Sequence, residues 1–86
     1  MLVIEVADTS LRMDRDVKAP IYGEAGIPEL WIVDLSGQRI EAYREPSAAG
    51  YQLIRIFVRG QQINPLFDPE FTISVDEILG PPEAAC

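Results

Sequence analysis

Apolar residues gather into two short runs, Leu2-Val3-Ile4 with Val6 and Leu30-Trp31-Ile32-Val33, with a polar and then amphipathic stretch between them. Continuous apolar runs of this kind read as strands covered on both faces, the habit of parallel sheets. Parallel neighbours need a crossover of a dozen residues or more, usually helical, and the intervening segment is long enough to supply one. The pattern therefore predicts a βαβ unit with parallel strands over 2–6 and 30–34. Glu5 lies inside the first run, where a buried strand would ordinarily carry another Val or Ile.

Between the runs, residues 7–12 read as a polar connection in which Asp8, Thr9 and Ser10 are able to cap backbone amides. A helix is expected from Asp14 or Asp16 to Ala25, its acids placed where a helix N-terminus favours negative charge. Pro20 interrupts that pattern, so either regular helix starts near Val17 or an irregular turn surrounds Lys18. Val17, Ile21 and Ala25 share a four-residue spacing, which predicts that Ile21 and Ala25 face inward. Gly26 and Pro28 stop the helix. Beyond Asp34, the Ser36-Gly37 turn predicts an antiparallel return over 38–44. Ile40 and Ala42 alternate there with Arg39, Glu41 and Tyr43, as in a half-exposed strand. Residues 46–50 read as a loop and 51–58 as a further antiparallel strand. After an irregular stretch over 61–69, Phe71-Thr72-Ile73 gives a short strand. Ser74-x-x-Glu77 has the form of a capping box opening a brief C-terminal helix to Leu79. The expectation is an α/β fold with a mixed sheet, one domain over 1–80 and a frayed tail over 81–86.

Composition narrows the function classes. Fourteen acids against seven bases give a net charge of −7, which counts against simple phosphate binding through Lys and Arg. A divalent metal can still mediate contact between an acidic site and a phosphate. The lone cysteine, Cys86, has no intrachain partner and fits a reducing, cytoplasmic compartment. No segment approaches the roughly 20 apolar residues of a membrane span, so no membrane partner is expected.

There is no histidine, which excludes His-based triads and His metal sites. Walker-type glycine loops and paired zinc cysteines are absent as well. What remains is carboxylate and lysine chemistry. Glu5 in a strand and Lys18, the sole lysine, near the start of the following helix are placed to approach one another. A hard divalent metal takes oxygen ligands, and a lysine stabilises an anionic phosphate or activates water. The plainer reading of the same residues is a surface strand glutamate and a solvated lysine. Tyr22, Trp31 and Tyr43 read as packing residues, and Asp8, Asp14 and Asp16 as caps and solvated charges.

The runs Leu2-Val3-Ile4-Glu5-Val6, Asp14-Arg15-Asp16-Val17-Lys18 and Tyr22-Gly23-Glu24-Ala25-Gly26-Ile27-Pro28-Glu29-Leu30-Trp31-Ile32-Val33-Asp34 together resemble the Uma-two family of endonucleases. That family belongs to the PD-(D/E)XK, restriction-endonuclease-like superfamily. Gly50-Tyr51 and Ser74-Val75-Asp76-Glu77-Ile78-Leu79 extend the similarity toward the C-terminus. The position of Lys18 on the helix resembles the family's migrated form of the motif. The resemblance implies Mg²⁺- or Mn²⁺-dependent hydrolysis of DNA, with Glu5 and Lys18 as the catalytic residues, Glu5 as the second metal ligand and Lys18 as the water-activating or phosphate-stabilising base. The family opens its core strand with Pro-Asp, whose Asp is the first metal ligand; Met1 stands at that place. The expectation is thus a truncated nuclease domain representing the family's C-terminal half, inactive by itself. The competing expectation is a non-catalytic interaction module that pairs with a second copy as a homodimer.

Overall fold

The computed structural model describes residues 1–8 and 11–81. Its fold is α/β. A four-stranded mixed sheet has the order β1 (Leu2–Ala7), β2 (Glu29–Asp34), β3 (Arg39–Ser47), β4 (Gly50–Val58), in which β1 and β2 run parallel and the other pairs antiparallel. Three abutting helical segments join β1 to β2: α1 (Leu11–Met13), a π-helical turn (Asp14–Lys18) and α2 (Ala19–Glu24). A two-stranded ribbon of β5 (Gln62–Ile63) and β6 (Ile73–Ser74) leads into the short C-terminal helix α3 (Val75–Leu79). The Ser74 hydroxyl caps α3 by accepting from the Asp76 amide at 3.2 Å.

Alternation along the strands separates two apolar layers. On one face Trp31, Val33, Ile40 and Ala42 pack beneath Ile63 and Val75 from the C-terminal elements. On the other, Ala7, Leu30, Ile32 and Tyr43 pack against Ala19 of the helix. Trp31 is fully covered, as expected.

Three expectations are corrected. First, β1 is an edge strand. The C-terminal elements cover the middle of the sheet but leave Ile4 and Val6 of β1 exposed. Second, β3 is not half-exposed: Ile40, Glu41, Ala42 and Tyr43 are all buried. Its central place gives it a cover on each face, so alternation in polarity there does not mean alternation in exposure.

Third, the helix presents the opposite side from the one its apolar spacing suggests. Asp14, Ala19 and Gly23 are buried, whereas Met13, Val17 and Ile21 are 57%, 49% and 58% exposed and Ala25 faces solvent. The π turn explains this. Its bond runs from the Ala19 amide to the Asp14 carbonyl, and the extra residue rotates the succeeding turn by about 100° relative to a continuous α-helix. The wide turn also accommodates Pro20, whose ring would strike the carbonyl four residues back in a regular helix. Helix therefore begins at Leu11 rather than at Asp14 or Asp16. Asp14 is a buried residue rather than a solvated cap. Gly26 ends the helical stretch at φ 79°, as its position suggested. Thr9, Ser10 and the tail over 82–86 lie outside the described residues.

Candidate active site

Register places Glu5, Ile32, Glu41 and Ile56 in one row across the four strands. Glu5 and Glu41 therefore share the helix-covered face, with Ile32 between them. The π turn and α2 lie over this row. Their inward positions carry Asp14, Arg15, Lys18, Ala19 and Tyr22, a set that the shifted helical phase brings together. Docking is close because Gly23 has no side chain. A Cβ there would lie 2.7 Å from the Gly50 carbonyl carbon of β4.

At the edge of the row, Lys18 Nζ stands 3.3 Å from Glu5 Oε1 and 3.4 Å from Asp14 Oδ1. The Tyr22 hydroxyl donates to Glu5 Oε2 at 2.8 Å. Lys18 is held protonated above its ordinary range, first by its hydrogen bond to Glu5 and then by Asp14. The same carboxylate raises the pKa of Tyr22, since ionising the phenol would forfeit the bond it donates.

In the middle of the row a second acid has a comparable set of partners. Arg15 Nε donates to both Glu41 oxygens, at 2.9 and 3.1 Å, and its Nη2 also bonds Oε2. The Tyr43 hydroxyl donates to Oε1 at 2.8 Å, and Arg39 Nη2 lies 3.3 Å from Oε2. Burial alone would push Glu41 up, but the hydrogen bonds from Arg15 and Tyr43 and the charges of both arginines outweigh it and hold it below the usual range. On the opposite face a third strand acid, Glu29, is fully enclosed. It accepts from Trp31 Nε1 at 2.8 Å, Arg44 Nε at 2.7 Å and the Leu66 amide at 2.8 Å.

The structure thus brings together the two residues singled out from sequence, Glu5 and Lys18. Spacing did not disclose Asp14, Tyr22, Arg15 or Glu41 as their neighbours. The sequence signal for two of them is the four-residue interval from Asp14 to Lys18 and from Lys18 to Tyr22, though the π turn alters the phase across the first interval.

A hard divalent ion tests this donor set. Mg²⁺ needs near-octahedral oxygen ligands at about 2.0–2.1 Å. Among the described residues no group of three or more acid, Cys or His side chains could hold a metal, and both Glu5 oxygens already meet donors. As arranged, these residues do not fit such an ion. What they form is a partly open carboxylate–ammonium pair able to meet an anion through Lys18.

Residues 1–76 match the family model Uma2, described as "Putative restriction endonuclease". The match does not bear out the narrower expectation that only the family's C-terminal half is represented. No curated protein and no solved structure matches the chain. No helix among the described residues is long and apolar enough to cross a membrane.

Proposed function

The chain belongs to the Uma2 family, and on that premise we propose that Glu5 and Lys18 are the catalytic pair of a restriction-endonuclease-like core acting on DNA phosphodiesters. The observation that carries this reading is the Lys18 ammonium set between Glu5 and Asp14 at the sheet edge. An ammonium has three donors. With two directed to carboxylates, one is left for a phosphate oxygen. Glu5 fixes the charge beside the scissile group, and Asp14 keeps the ammonium from turning away.

In the same proposal the chain by itself is a poor nuclease. Metal-assisted hydrolysis needs an ion that both polarises the phosphate and lowers the pKa of its water. Glu5 alone does not make a Mg²⁺ or Mn²⁺ site, and the net charge of −7 repels the substrate most strongly at low salt. The test is nicking of supercoiled plasmid with Mg²⁺ or Mn²⁺. It compares the chain, its Glu5→Ala and Lys18→Ala variants, and the chain extended at its N-terminus so that Pro-Asp stands in place of Met1. The expected result is cleavage by the extended chain alone, lost in both variants of it. Cleavage by the unextended chain that both variants abolish contradicts the proposed inactivity. An inactive extended chain removes the nuclease reading.

A second reading is favoured by the open β1 edge, where Ile4 and Val6 are exposed. Unpaired strand edges with apolar side chains recruit other strands, so β1 is suited to pairing with a second copy as a non-catalytic dimer. Sedimentation across a wide concentration range decides it. A monomer throughout rules the dimer out.

A further inference from the structure

We propose that Tyr22 is the positioning residue of Glu5: its hydroxyl anchors one carboxylate oxygen so that the other is presented to Lys18. The inference rests on the reading of Glu5 and Lys18 as the functional pair. The two oxygens of Glu5 have different partners, with Tyr22 on Oε2 at 2.8 Å and Lys18 on Oε1 at 3.3 Å. The tyrosine contact is the tighter of the two. Lys18 is a flexible, half-exposed side chain, and an ion pair of that exposure does little to fix its partner. Tyr22 has a stiff ring packed against the cluster of Ala7, Ala19, Leu30, Ile32 and Tyr43, and it loses little freedom on forming a directed bond. Its backbone is set beside the Gly23–Gly50 approach, so the hydroxyl has a fixed origin that the lysine stem lacks. The upward shift of the Tyr22 phenol, caused first by its bond to Glu5, agrees with the geometry.

The sole lysine makes the experiment specific, because one side-chain Cε signal reports on Lys18. Nuclear magnetic relaxation of that methylene is measured in the parent chain, in Tyr22→Phe and in Glu5→Gln. Phenylalanine keeps the ring and its packing and removes only the hydroxyl, so a purely structural role for Tyr22 leaves the signal unmoved. The expected result is that Lys18 loses order in Tyr22→Phe to the level seen in Glu5→Gln. Parent-like order in Tyr22→Phe, with order lost in Glu5→Gln, overturns the proposal. Parent-like order in both variants overturns it as well, by showing that Glu5 does not hold Lys18. Should Tyr22→Phe fail to fold, exchange of the Tyr22 hydroxyl proton decides: slow in the parent and fast in Glu5→Ala supports the anchor, and equal rates refute it. These readouts concern side-chain order and not cleavage, so an inactive extended chain would remove the nuclease reading without altering them.

Discussion

Glu5 and Glu41 occupy the same row of the same sheet face, and each meets a cation from the helix and a tyrosine hydroxyl. Their surroundings differ in two respects. The Glu41 side chain is 2% exposed and Glu5 is 23% exposed. Glu41 is grasped through both oxygens by a guanidinium and backed by Arg39, whereas Glu5 meets an ammonium on one oxygen only. A planar guanidinium pre-organises a two-point bond, and an ammonium acts as a single movable charge. The same residue type therefore serves two ends. In the middle of the sheet it locks helix to strand, and at the edge it keeps a charged pair within reach of solvent.

The contrast between the two acids breaks most severely where the row loses its spacer. Ile32 is fully buried between them. Ile32→Ala should cost about 4 kcal/mol, through lost burial and the cavity left behind. Urea unfolding followed by the fluorescence of buried Trp31 measures it. A smaller effect is expected at the locked acid. Arg15 is 37% exposed and its loss leaves Glu41 with Arg39 and Tyr43 as partners, so Arg15→Ala should cost about 2 kcal/mol, the value of hydrogen bonds to a charged group rather than of a fully buried pair. The same denaturation experiment checks that figure, and a loss within error of zero would mean the guanidinium does not hold the helix.

Next comes a change of slope with pH. The folded-state pKa of Glu41 lies below its ordinary 4.5, so the unfolded chain binds the proton more readily. Its contribution is fully present above pH 4.5 and disappears as pH falls through the lower folded value. Unfolding free energies taken at steps below pH 4.5 should fall less steeply in Glu41→Gln than in the parent chain. Parallel profiles would show that Glu41 is not an anchored carboxylate.

Much of the fold was legible because the signals were local. The apolar runs marked β1 and β2, the Ser36-Gly37 turn marked the β2–β3 return, and Ser74 marked the start of α3. The helix phase was not legible. The four-residue recurrence of Val17, Ile21 and Ala25 assumes an unbroken α-helix, and the π turn before Pro20 rotates those residues outward. The same rotation carries Arg15 and Lys18 over the sheet. Spacing and family resemblance brought Glu5 and Lys18 together, since one lies within the first strand and the other in the helical stretch that follows it. Glu41 was hidden for a different reason. In a strand of alternating polarity a glutamate reads as solvent-facing, and only the helix laid across that face turns it into a buried anchor. Its one sequence trace is Glu41-Ala42-Tyr43, a same-face pair in which the tyrosine bonds the acid.

Within one row, then, Glu41 is a buried anchor, and the part-exposed Glu5 is the acid to which the proposal gives a functional part. The most direct test is the unfolding free energy of Glu5→Gln beside that of Glu41→Gln, both in urea at pH 7 with Trp31 fluorescence as the signal. Glutamine keeps the shape of the side chain and removes the charge, so the difference isolates what each carboxylate contributes. The predicted result is a clear loss of stability for Glu41→Gln and a curve for Glu5→Gln that overlays the parent. Equal losses in the two variants would contradict this division of roles, because Glu5 would then be a second structural anchor and not an available acid.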